Sequence, residues 1–143
     1  MNRMIEQLSV SLENEPGQLA KMATFIGAGG IQIYGYTISE SSDFAIVRLV
    51  CDRPRATARR LAEAGYHVCV TPVLAVLVDD VPGGLGRVMG SLASVELNVE
   101  YAYCCMTGGQ VVDAICVTGG PIAYKLASVP FKTLDPAEVY QPD

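Results

Sequence analysis

From Ile5 to Leu12 apolar and polar residues alternate, the period of a strand with one covered face. The pattern breaks at Asn14-Glu15-Pro16-Gly17 and resumes at a different period, with Leu19, Met22, Ala23 and Ile26 at three- and four-residue spacing. That spacing predicts an amphipathic helix, opened by Pro near its first position and stopped at Gly29-Gly30. Strand-like runs return from Ile31 to Ser39 and from Phe44 to Cys51, with Glu40-Ser41-Ser42-Asp43 as the turn between them. Arg53-Pro54 opens a second helix, with Ala58, Leu61 and Ala62 on one side and arginines on the other. Gly65 ends it, and Tyr66 to Val70 is a short fourth strand.

The same order recurs further along. Asn14 falls on Asp80, Pro16 on Pro82, Gly17 on Gly83, Leu19 on Leu85 and Lys21 on Arg87, all at an offset of 66 residues. The offset holds downstream: Ile31-Gln32-Ile33 falls on Leu97-Asn98-Val99, Ile46 on Val112 and Leu49 on Ile115. The second copy therefore reads as a strand over Thr71–Asp79, a helix over Pro82–Ser94, and strands over Leu97–Met106 and Val111–Val117. A short helix over Ile122–Ala127 and a last strand over Val129–Leu134 complete it. Residues 135–143, with Pro136 and Pro142, read as a loose tail.

A β-α-β-β-α-β order makes an α+β, ferredoxin-like module: four antiparallel strands with two helices on one face. Two modules are expected, over residues 1–70 and 71–134, followed by the tail. The second strand of such a module lies at a sheet edge, where unpaired N–H and C=O groups need a partner. Joining the copies edge to edge would satisfy them and give one eight-stranded antiparallel sheet with its helices on one face.

Composition narrows the function classes. The 143 residues are 50% hydrophobic and 17% charged, a globular rather than disordered balance. With 10 Lys+Arg against 15 Asp+Glu, the net charge of −5 argues against nucleic-acid binding. The cluster Arg48, Arg53, Arg55, Arg59 and Arg60 reads as the solvated face of a helix. Apolar runs such as Val73–Val78 are strand-length, so no membrane span is expected, and the N-terminus lacks the pattern of a signal peptide. Cys51, Cys69, Cys104, Cys105 and Cys116 form no CxxC pair and fit small strand residues in a reducing cytoplasm.

The strand, the Asn14-x-Pro16-Gly17-x-Leu19 turn, the helix and the Gly30-Ile31-Gln32-Ile33 strand together resemble the ACT domain, the ligand-sensing module of many enzymes of amino-acid metabolism. The resemblance runs from about Ile5 to Leu134 as two copies. It implies a non-catalytic regulatory protein that binds a free amino acid or similar small ligand where the turn of one copy meets the second strand of the other. Carried across, Asn14, Pro16, Gly17 and Leu19 would face Leu97 and Asn98, and Asp80, Pro82, Gly83, Gly84 and Leu85 would face Ile31 and Gln32. A homodimer and a metabolic enzyme as partner are further implications. The alternative is a structural subunit that oligomerises with an enzyme and binds no ligand. Asp80 replaces the Asn of the first turn, Gln32 stands where Asn98 keeps the usual residue, and Glu96 replaces Gly30, so the two sites need not be equivalent.

The residue types suit an amino acid. A helix N-terminus favours a carboxylate, and glycines admit close approach to the backbone. Asn14, Asn98 or Asp80 offers acceptors for an ammonium, although Asn14 and Asp80 are equally suited to capping the helix or closing an Asx turn. Tyr34 with Tyr36, and Tyr101 with Tyr103, would line a pocket or cover a sheet face or dimer contact. His67 is the only histidine, which argues against a metal, and its pairing with Cys69 lacks an orienting third group. No cofactor motif is present: Gly83-Gly84-Leu85-Gly86 lacks the dinucleotide and Walker contexts.

Overall fold

The computed structural model describes residues 4–143; Met1–Arg3, at the head of the first expected module, lie outside the described residues. In chain order the elements are β1 (Ile5–Glu13), α1 (Gln18–Ala28), β2 (Ile33–Glu40), β3 (Phe44–Cys51), α2 (Pro54–Glu63) and β4 (His67–Leu77). Then come α3 (Gly84–Ser94), β5 (Asn98–Thr107), β6 (Gln110–Thr118), α4 (Ile122–Leu126) and α5 (Pro136–Val139). The chain divides into two compact units, one of Glu6–Thr71 with Tyr140–Asp143, the other built on Pro72–Val139 with Ile5.

In the first unit, Leu8, Val10 and Leu12 of β1 and Val47, Leu49 and Cys51 of β3 share a core with Met22 and Ile26 of α1 and Ala58 and Leu61 of α2. Alternate strand residues meet both helices, so the helices cover one face of the strands, as the periodicities require. In the second unit the core joins Leu74 and Val76 of β4 and Ile115 and Val117 of β6 to Val88 and Leu92 of α3 and Leu126 of α4. The 66-residue offset maps one core onto the other, Leu8 onto Leu74, Met22 onto Val88 and Leu49 onto Ile115.

Among the described residues six strands form the antiparallel sheet, in the order β2-β3-β1-β4-β6-β5, and not the eight expected. Two changes account for the difference. The fourth strand of the first copy and the first strand of the second are one element, β4, because no turn residue separates Val70 from Thr71 and the chain runs on extended. The run Val129–Leu134 makes a single bridge, Val76 to Thr133, with Leu134 N–H donating to Ala75 O at 2.8 Å. Pro130, with no N–H to give, interrupts the ladder there. Matching irregularities mark the edge strands: β2 shifts register between Ile33 and Gly35, and β5 between Val99 and Tyr101. The bulged residues, Tyr34 and Glu100, are also 66 apart.

The tail departs from the expectation of a loose segment. Pro136 starts a short helix, and Val139 and Tyr140 are buried. Tyr140 Oη accepts from Glu6 N–H at 3.0 Å, and Gln141 O accepts from Arg53 N–H at 2.7 Å. The Asp143 carboxylate accepts from Arg55 N–H and Ala56 N–H, each at 2.9 Å, and so caps the N-terminus of α2 from 87 and 88 residues away.

Candidate ligand site

The two Pro-Gly turns share one backbone plan. In the first, Glu15 N–H donates to Glu13 O, Gln18 N–H to Glu15 O and Lys21 N–H to Gly17 O. In the second, Val81 donates to Asp79, Gly84 to Val81 and Arg87 to Gly83. The glycine before each helix has φ of 87°, a left-handed conformation that glycine adopts without strain. Among the described residues no side chain caps either helix, so neither Asn14 nor Asp80 plays that part. Asn14 instead ties its turn to the β2–β3 hairpin: its N–H donates to Asp43 O and its Nδ2 to Ser41 O, each at 3.0 Å. Pro16, Asp80, Pro82 and Gly83 are exposed. Gly84 is buried so tightly that a Cβ there would collide with the Asp79 carbonyl.

A groove opens between each of these helices and the two strands that follow it, lined by turn residues in the second copy and by none of residues 14–17 in the first. The first holds 330 Å3 and is lined by Leu19 and Met22 of α1, Ile33 and Tyr36 of β2, and Val47 and Leu49 of β3. The second, of 210 Å3, is lined by Asp79, Asp80 and Leu85 of the turn and helix, Cys104 of β5, and Val111 and Asp113 of β6. Leu19 and Leu85 occupy equivalent positions, and so do Val47 and Asp113, so a carboxylate stands in the second copy where the first has an isopropyl group.

The remaining expected residues lie elsewhere in their modules. Ile31 and Leu97 are buried core residues that precede β2 and β5. Gln32, expected to face the turn of the other copy, is exposed just before β2. Its N–H donates to Asp52 Oδ2 at 3.3 Å. Asn98 opens β5, exposed, with Nδ2 3.4 Å from Glu100 Oε1. Glu96 takes φ of 59° where its counterpart Gly30 takes 73°, so the turn before the strand is kept despite the side chain. Tyr34 and Tyr36 do not act as a pair. Tyr36 lines the first groove, whereas the Tyr34 hydroxyl donates to Asp52 Oδ1 at 2.7 Å.

Asp52 and Asp113 are the polar residues that sequence reasoning passed over. Asp52 is 8% exposed, and besides Tyr34 and Gln32 it accepts from Gln141 N–H at 2.8 Å. Burial pushes its carboxyl up, but the Gln141 N–H, the Tyr34 hydroxyl, the Gln32 N–H and the Arg53 charge outweigh it and hold the group below the usual carboxylate range. Burial pushes the Tyr34 hydroxyl up to about 12, with the Asp52 hydrogen bond acting in the same direction. At Asp113 burial wins: its carboxyl lies above the usual range, only partly offset by the Cys104 thiol 3.4 Å from Oδ1. One signal marked it: a lone charge inside the apolar run Val111 to Val117.

Among the described residues, no group of His, Cys, Asp and Glu could hold a metal ion, and no helix is long and apolar enough to cross a membrane. All five cysteines are free.

None of the curated proteins matches this sequence. A Bacteroides thetaiotaomicron protein of known crystal structure superposes with a TM-score of 0.87 at 24% identity, over 97% of each chain. The ligand-free regulatory subunit of aspartate kinase from Thermus thermophilus superposes at 0.62 with 16% identity, over 87% of this chain and 88% of that one. The corresponding subunit from Thermus flavus gives 0.57 at 18% identity, over 88% of each. At these identities the likeness establishes the fold. The profile of the ACT domain pair matches residues 3–119, which takes in both Pro-Gly turns, and the chain accordingly belongs to the ACT domain pair family.

Proposed function

We propose that this protein is a non-catalytic, cytoplasmic regulator that binds a free amino acid or similar small ligand at its Pro-Gly turns. ACT domains typically bind small regulatory ligands such as amino acids. The observation that carries the reading is the turn itself. Twice, a left-handed glycine opens a helix that no side chain caps, next to a groove between helix and strands. An uncapped helix start favours a ligand carboxylate through its N–H groups and dipole. Asn14, Pro16, Gly17 and Leu19 shape the first turn, and Asp80, Pro82, Gly83, Gly84 and Leu85 the second. Ile31 and Leu97 pack in the two cores, and Gln32 and Asn98 stand exposed where β2 and β5 begin.

A homodimer and an enzyme partner belong to the same proposal. β2 and β5 are the edge strands of the sheet, and Tyr36, Ile38 and Met106 on them are exposed apolar side chains of the kind a partner covers. A regulatory subunit of aspartate kinase shares the fold, which makes an enzyme of amino-acid metabolism the natural partner.

The test is thermal unfolding of the full chain with each of the twenty amino acids. A ligand at a hundredfold excess over its Kd adds about 2.7 kcal/mol to stability and raises Tm measurably. A flat response to all twenty would defeat the ligand-binding reading and leave the structural-subunit reading in its place.

A further inference from the structure

The two copies share a backbone plan but differ at one core-facing position. Val47 points with Leu49 and Cys51 into the helix-covered core of the first unit. Its counterpart Asp113 has the same strand parity as Ile115 and Val117, which face the helix-covered core of the second. Asp113 is 6% exposed. A buried carboxylate with no cation beside it is costly, and the first copy demonstrates that a valine satisfies the fold here. Folding therefore does not require the charge.

Among the described residues, the surroundings also leave the charge uncompensated. The hydrogen bond to Asp113 among the described residues is from the Cys104 thiol, a weak donor, at 3.4 Å. Among the described residues no Lys or Arg lines the 210 Å3 opening, while Asp79 and Asp80 do. Asp79 stands 3.9 Å from Arg87, but both side chains are largely exposed and the pair does little to neutralise the interior. The opening corresponds to about seven water volumes at ~30 Å3 each. Leu85 and Val111 give it an apolar wall. The chemistry is that of a cation receptor with room for a short carbon stem.

We infer that the opening beneath the second Pro-Gly turn receives the ammonium group of a small ligand, with Asp113 as its buried counter-charge. The first groove, with Val47 in that place, offers no such acceptor and prefers an apolar group. The duplication has thus separated into one cation-selective and one apolar groove. This deepens the proposed amino-acid reading and rests on it for the identity of the ligand, but the ammonium requirement stands on the buried carboxylate.

The experiment follows Tm of the full chain as wild type, Asp113→Val and Asp113→Asn. The probes are the twenty amino acids, their 2-hydroxy-acid counterparts, and methylammonium and ethylammonium chloride against sodium chloride at equal ionic strength. The expected result is an amino acid that stabilises the wild type while its hydroxy acid does not, with affinity reduced at least tenfold in both variants. Asp113→Asn keeps the shape if Asp113→Val fails to fold. An amino acid that binds the variants as well as the wild type, or a hydroxy acid that binds equally, overturns the inference and leaves the regulatory reading standing. If no amino acid stabilises the wild type, the regulatory reading fails and the alkylammonium salts decide. Stabilisation of the wild type over Asp113→Val upholds the ammonium site, and equal response overturns it.

Discussion

Replacing Asp52 by Ala tests whether the first unit depends on a tail that the local pattern of the chain did not place. Asp52 Oδ1 accepts two short hydrogen bonds, from the Tyr34 hydroxyl at 2.7 Å and the Gln141 N–H at 2.8 Å, and Oδ2 a longer one from Gln32 N–H at 3.3 Å. A hydrogen bond to a charged group contributes about 1.5–3 kcal/mol. The two short bonds set a span of about 3–6 kcal/mol. Gln141 belongs to a terminal segment that regains water when it peels away, so Asp52→Ala should lose about 3 kcal/mol, the lower end of that span. Urea unfolding reads this as a midpoint shift of about 1–2 M for a slope near 2 kcal/mol/M. Because two units need not unfold together, hydrogen exchange at the Gln141 and Gln32 amides provides the local measure. Both should lose protection in the variant. The carboxyl lies below its unfolded value, so its contribution is complete above pH ~3.9 and fades as pH falls through the folded value. The gap between wild type and variant should close accordingly in acid. A loss below ~0.5 kcal/mol with Gln141 still protected would refute the reasoning, since surface changes of that size are routine.

Asp113 titrates in the opposite sense. Its folded value is raised, so the native state is penalised as pH rises from the unfolded value through the folded one, with Asp79, Asp80 and Cys104 facing the same opening. Ligand-free Asp113→Val should therefore be more stable than wild type by about 1–3 kcal/mol at pH 7 and by less at pH 4, measured by urea unfolding. Gly84→Ala should destabilise by about 2–3 kcal/mol, because the new methyl meets the rigid Asp79 carbonyl and not a yielding side chain. Calorimetry of that variant would read the effect as a fall in Tm. Burial pushes the Cys51 and Cys105 thiols up to about 12. Native-state labelling with a thiol reagent at pH 8 should spare these two and modify exposed Cys69, with full labelling only in denaturant.

The sequence by itself determined what local spacing encodes. The 66-residue offset, the change of period from two to 3.6 at each Pro-Gly turn, and the alternation that selects Leu8, Val10 and Leu12 for the core are properties of neighbouring residues. They fixed two ACT-type modules and the Pro-Gly turns that open α1 and α3. Tertiary structure decided whatever depends on a distant partner. Val70 and Thr71 lack a turn residue, yet whether two adjoining strand runs merge depends on the ladders they meet, and the structure makes β4 one strand. Val129–Leu134 has strand-like residues, yet a strand exists only where a ladder accepts it, and Pro130 withholds a donor. Asp143 reads as a tail residue until α2 presents two N–H groups to it. Asp52 and Asp113 look alike as single letters. Three donors around one and a weak thiol beside the other give them opposite shifts, because the free energy of a buried charge is set by what the fold places next to it.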